Sequence, residues 1–186
     1  PRQASSVFRI PLEGSAPTAL KAAGSPVDQL SFLESADGHL NVLLRARGRG
    51  EAMWAAESGS NSMALLRVPL ASFGDGRDAA PASAYRRLPS PAGYTLQNKF
   101  VGSFLLYGSG ANWGASNARG SALNAVRWAE PASTAQTISL PHGVDRIDEV
   151  SRHVAAQQLA HRRFGARAPV AHEVAEHVDC YHPHHA

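Results

Sequence analysis

The stretch HEVAEHVDCYHPHH, residues 172–185, sets five histidines, two glutamates, an aspartate and the chain's only cysteine within fourteen positions. Imidazole, carboxylate and thiolate are ligands of zinc, copper and nickel, so these residue types point first to metal chemistry. A hydrolytic zinc helix needs two histidines four apart, both facing one ion beside a glutamate that acts as base. His172 and His177, on either side of Glu173, are five apart. At about 100° per residue they diverge by roughly 140° around a helix, and the motif fails. Looser sets remain. Glu173 and His177 share a helix face, as do His177 and Cys180, while Cys180, His182 and His184 alternate as along an extended chain. A working site also needs rigid elements and outer hydrogen bonds to aim its ligands. This segment has little to pack it. The expectation for His172, Glu173, His177, Cys180, His182 and His184 is adventitious affinity of the polyhistidine kind, and no cofactor is expected.

A second candidate is YGSGANWG, residues 107–114. Its glycines at 108, 110 and 114 read G-x-G-x-x-x-G, one residue longer than the dinucleotide-binding fingerprint. The residues that follow, SNARGSALNAVRW, read as a strand, whereas a phosphate site needs a helix N-terminus facing the anion. The segment is expected to be a long hairpin loop whose glycines adopt positive φ. Asn112, Trp113 and Arg119 are its candidate ligand contacts. Trp113 offers a large stacking face, and packing over a sheet edge is the alternative for it. Serine nucleophile chemistry has no recognisable seat, since no G-x-S-x-G elbow occurs. Asp75, Asp78, Asp145, Asp148 and Glu149 fall in turns or on strands, with no spacing that pairs two carboxylates. His39 and His142 sit beside turns, and Met53, Trp54, Met63 and Trp128 in strand-like segments are expected in the core.

What must position these groups follows from the totals. With 186 residues, 44% hydrophobic and 18% charged, the chain is long and apolar enough for a globular core. No run of 18 apolar residues occurs, so no membrane-spanning helix is expected. One cysteine excludes an intramolecular disulfide. The net charge of +3 is modest, and the densest basic group, RARGRGE at 45–51, has no interleaved aromatic. A solvated hairpin loop is expected there, and nucleic-acid binding is not. The first residues, PRQASSVFRIPLEGS, lack an initiating methionine and an apolar signal core. The expectation is a segment of a longer protein.

Up to about residue 150 the chain reads as short strands between turn signals. They are VFRIPL (7–12), VDQLSFLE (27–34), HLNVLLRA (39–46), MALLRVPL (63–70), YTLQNKF (94–100), VGSFLLYG (101–108), LNAVRWA (123–129), AQTISL (135–140) and VDRIDEV (144–150). In the second of these, alternation predicts Leu30 and Phe32 turned inward. No segment before residue 145 sustains helical periodicity over three turns. VFRIPLEGS, LLRVPLASF and LNAVRWAEP share an arginine between apolar residues ahead of a turn. Those arginines, Arg9, Arg67 and Arg127, are separated by 58 and 60 residues. A repeat of this length made only of strands predicts one sheet per repeat.

VFRIPLEGS and LLRVPLASFGDG resemble the strand-and-turn element of bacterial β-propellers of the WD40-like or TolB-like kind, in which Y-R-I-P-L-D-G-type lines recur blade after blade. The run also resembles the propeller domain of secreted bacterial proteins, over roughly residues 5–150. The resemblance implies an all-β fold, a partial β-propeller of antiparallel blades, in a secreted or periplasmic protein. A β-sandwich is the competing arrangement of the same strands. The implied function is a non-enzymatic binding platform for protein or glycan ligands, acting through loops such as 108–120. The alternative is a propeller hydrolase, or a metal-dependent enzyme, with its active residues outside 1–150. At this spacing 150 residues make two and a half blades, fewer than a closed propeller needs. The implied partners therefore include the remaining blades of a parent chain, or copies of the same chain.

Residues 151–186 break the pattern. They hold seven of the nine histidines, are rich in Arg and Ala, and form an irregular or helical tail by pattern. By analogy with the first repeat, VDRIDEV should lead into a Gly/Asp turn and another apolar strand. Instead it enters SRHVAAQQLAHRR, the kind of sequence a GC-rich gene yields out of frame. The expectation is a shifted reading frame, with a genuine helical appendage as the alternative.

Overall fold

The computed structural model describes residues 4–46, 62–91, 95–110 and 121–148. Among them the fold is all-β, with three single-turn 3-10 segments and no α-helix. None of the described helical segments is long and apolar enough to cross a membrane. The chain divides into two units, Pro1–Ser90 with Trp128–Pro131, and Pro91–Arg127 with Ala132–Ala186.

The first unit contains β1 (Ala4–Arg9), β2 (Thr18–Ala23), β3 (Ser25–Pro26), β4 (Phe32–Ser35), β5 (His39–Arg45), β6 (Met63–Pro69), β7 (Asp75–Ala79) and β8 (Tyr85–Leu88). β5 is the spine of one antiparallel sheet, with β3 and β4 on one side and β6 then β8 on the other. HLNVLLR is nearly continuous in apolar residues, as a strand covered on both faces should be. Asn41 through Arg45 are all buried. Val42 of β5 and Leu66 of β6 are cross-strand partners. With Leu44 and Val68 they meet Val7 of β1, Leu20 and Ala22 of β2, and Phe73 in one apolar cluster. A second sheet, ordered β1–β2–β7, is thereby packed face to face on the first. Each large side chain in that layer contributes about 1.5–3 kcal/mol by burial. Gly24 carries the chain from one sheet to the other at φ +102°, and a Cβ there would stand 2.5 Å from the Arg45 carbonyl oxygen. Only glycine fits such an approach.

The second unit is a four-stranded antiparallel meander of β9 (Leu96–Val101), β10 (Phe104–Ser109), β11 (Ser121–Arg127) and β12 (Gln136–Leu140). Leu106, Leu123 and Ala125 form its apolar face, covered by Val144 and Ile147 from the irregular segment after β12. Gly108 makes that cover possible, because a Cβ on it would lie 2.8 Å from Val144 Cγ2 and 2.9 Å from the Ala122 carbonyl oxygen.

Several expectations need correction. Leu30 and Phe32 do not turn inward; they are 46% and 40% exposed. Val27, Ser31 and Ser35, of the opposite parity, are buried instead, and Asp28 caps a 3-10 turn over Gln29–Ser31, accepting from Leu30 N. The strand holding VFRIPL ends at Arg9, leaving Ile10 and Leu12 exposed. Residues 144–148 form no strand. Gly108 and Gly110 do not adopt positive φ; their role is room for Val144, Thr95 and Asp145. Their segment does connect the antiparallel pair β10 and β11, as a hairpin should. Arg45 lies in β5 and is 3% exposed, so it is no solvated loop residue. Met63 is buried, whereas Trp128 is half-buried. Met53 and Trp54, with the tail 151–186, lie outside the described residues.

Candidate functional site

The densest polar constellation among the described residues sits at the turn joining β4 to β5. Ser35, Ala36, Asp37 and Gly38 close it: Gly38 takes φ +76°, and its N–H donates to the Ser35 carbonyl at 3.0 Å. Ser-x-Asp-Gly suits such a turn, since short polar side chains bond the local backbone and glycine tolerates the left-handed region. Ser35 Oγ donates to Asp37 Oδ1 at 2.6 Å. Across the sheet, Asn41 of β5 and Arg67 of β6 are register partners. Arg67 Nη1 donates to Asn41 Oδ1 at 2.8 Å, and Arg67 Nη2 pairs with Asp37 Oδ2. Asn41 is fully buried, and its Nδ2 donates to the Leu33 carbonyl and to Ser35 Oγ. The Arg67 guanidinium also stacks on the Trp128 ring, 5.5 Å from the ring centre.

Serine, histidine and aspartate therefore share one turn, and their arrangement decides what they do. His39 Nδ1 lies 3.4 Å from Asp37 Oδ1 and 3.1 Å from the Asp37 carbonyl oxygen. A hydrolytic triad places the imidazole between hydroxyl and carboxylate. Here the hydroxyl bonds the carboxylate directly, and Ser35 is only 7% exposed. The Ser35 hydrogen bond, followed by the bond and charge of Arg67, lowers the Asp37 pKa to about 2, against an opposing push from burial. A carboxylate held that low is a weak base near neutrality. The cluster locks a hairpin turn to β6.

The arginines that mark the repeat do different work. Arg9 makes an exposed pair with Glu34 at 3.5 Å. Arg127 lies over the ring of its cross-strand partner Phe104, 4.9 Å from its centre. Arg67 is built into a buried network, and the repeat is the sequence signal that marks it along with the other two.

A concavity of about 300 Å³ opens elsewhere in the first unit, walled by Ala23, Leu44, Ala64, Tyr85 and Arg87 among others, with no carboxylate among the described residues of its lining. Tyr85 Oη accepts from Ala23 N at 2.8 Å at its edge. No group of three or more His, Cys, Asp or Glu is placed to hold a metal ion among the described residues. Asn112, Trp113 and Arg119, and the metal candidates His172, Glu173, His177, Cys180, His182 and His184, lie outside the described residues. No protein-family model, no curated protein and no solved structure matches this chain.

Proposed function

We propose that residues 5–150 are part of a β-propeller acting as a non-enzymatic binding platform for protein or glycan ligands. The observation that carries this reading is the recurrence of one antiparallel meander. β4–β5–β6–β8 is followed by β9–β10–β11–β12, and the β1–β2 pair matches the last two strands of each. In every case the repeated arginine lies on the strand before the last: Arg9 on β1, Arg67 on β6, Arg127 on β11. Antiparallel sheets repeated along the chain are the logic of radial β architectures. The internally satisfied Ser35–Asp37–Asn41–Arg67 network supports a scaffold role for the most polar turn. Ligand contact is assigned to the β10–β11 connection, with Asn112, Trp113 and Arg119 as its residues.

The test is an array of glycans and extended peptides probed with the intact chain. One ligand class should be retained, and Trp113→Ala should weaken it at least tenfold without changing the melting temperature. Turnover of a hydrolase substrate that disappears when a residue within 5–150 is substituted would overturn the proposal.

A further inference from the structure

Leu44 of β5, Ala64 of β6 and Arg87 of β8 are register partners in turn and form one cross-strand row. The next row on the same face is Val42, Leu66 and Tyr85, where the β1–β2–β7 sheet packs. Packing over the first row is incomplete, and the covering sheet shows why. β7 follows β2 only until the Ala80 N–H donates to the Lys21 carbonyl at 2.9 Å. The chain then turns away through the 3-10 segment Ala82–Ala84 and becomes β8 of the other sheet. Two residues further along β2, the Ala23 N–H on that same edge donates to Tyr85 Oη at 2.8 Å instead of to a strand. The space left is the concavity of about 300 Å³ lined by Ala23, Leu44, Ala64, Tyr85 and Arg87.

Its chemistry is asymmetric. Leu44 and Ala64 are apolar, and the small Ala64 leaves room where its neighbour on the strand pair, Leu66, fills it. Arg45 also borders the space, but alternation along β5 turns its side chain to the face opposite Leu44. Arg87 is exposed and forms no hydrogen bond or ion pair among the described residues. A guanidinium pairs a carboxylate through two parallel hydrogen bonds. The volume stands at the lower end of ligand pockets, enough for a ligand of one ring.

We infer that this recess binds a small aromatic carboxylate, with its ring against Leu44, Ala64 and Tyr85 and its charge on Arg87. A free arylacetic acid or the C-terminal aromatic residue of a peptide carries that chemistry. The site lies within the first unit and does not rest on the binding platform proposed above.

Amide NMR spectra of the isotope-labelled full chain, titrated with phenylacetate, test it. Saturable shifts are expected at the Ala23, Ala64 and Arg87 amides. Phenylacetamide, of the same shape without the charge, should bind at least fivefold more weakly. Arg87→Gln should weaken phenylacetate at least fivefold and leave phenylacetamide unchanged. Ala64→Leu should fill the recess and abolish both; if that variant fails to fold, Arg87→Gln at its exposed edge-strand position still decides. A Gly-Gly-Phe peptide with a free C-terminus identifies the source: tighter binding than phenylacetate supports a chain terminus, weaker binding a free acid. Absence of saturable shifts, equal binding of acid and amide, or an Arg87→Gln variant that binds phenylacetate like the parent would overturn the inference. Trp113→Ala should leave phenylacetate binding unchanged, so a failure here and a failure of the platform reading are told apart.

Discussion

Arg67 and Asn41 face each other across β5 and β6, and the arginine supplies the donor for an amide oxygen that is otherwise sealed from water. Removing one partner of a buried polar pair costs the desolvation of the other. Arg67→Ala is therefore expected to destabilise the first unit by about 2 kcal/mol in urea titrations. Arg9→Ala removes a half-exposed pair and should cost less than about 1 kcal/mol. Equal losses at the two repeat-equivalent positions would show that the network around Asn41 contributes nothing special.

Acid should weaken the same turn. The Asp37 pKa falls from 3.8 to about 2 on folding, first through the Ser35 hydroxyl and then through Arg67. A carboxyl depressed in the folded state stabilises it fully above the unfolded pKa, and that contribution fades as pH drops toward the folded value. The gap in melting temperature between the parent and Asp37→Asn should thus be constant above about pH 4 and shrink as pH falls to about 2. A gap that stays the same throughout would mean that the Asp37 charge is not what holds the turn.

Gly24 and Gly38 both adopt positive φ but differ in surroundings. A Cβ on Gly38 would have nothing within 4 Å, while one on Gly24 would stand 2.5 Å from the Arg45 carbonyl oxygen. Gly38→Ala should cost about 1 kcal/mol, from backbone strain alone. Gly24→Ala must also push apart β2 and the end of β5, for about 3 kcal/mol or more. Denaturant midpoints at constant slope would rank the two, and the reverse order would contradict the packing at Gly24.

How much of this is legible in the sequence depends on whether the signal is local. HLNVLLR and MALLRVP announce buried strands through apolar runs, and their register partners lie one hairpin apart. TALKAA and DGRDA give no such sign. The first is alanine-rich, and the second is mostly exposed and held by parallel pairing with β2. Alternation misleads at 27–35 because it picks the inward face by hydrophobicity, whereas the inward parity carries Ser31 and Ser35, whose hydroxyls are bonded to Asp28 and Asp37. Of the site, the Ser-Ala-Asp-Gly turn is visible as a turn. Its clamp by Arg67, 30 residues beyond Asp37, depends on sheet pairing that no local pattern encodes.

The packing of Val144 on Gly108 gives the most discriminating test of the second unit. Gly108→Ala would bring a methyl 2.8 Å from Val144 Cγ2 and 2.9 Å from the Ala122 carbonyl oxygen. Overpacking of this kind costs about 1–3 kcal/mol. Val144→Ala alone removes the methyls of a fully buried residue and should cost about 2 kcal/mol. In the double variant the side-chain clash disappears, so the combined loss should fall short of the sum by at least about 0.5 kcal/mol. Rescue stays incomplete because the Ala122 oxygen belongs to the β11 backbone and cannot withdraw without breaking the ladder. Strict additivity in a double-mutant cycle would show that Val144 does not rest on Gly108, and that the glycine is required there for another reason.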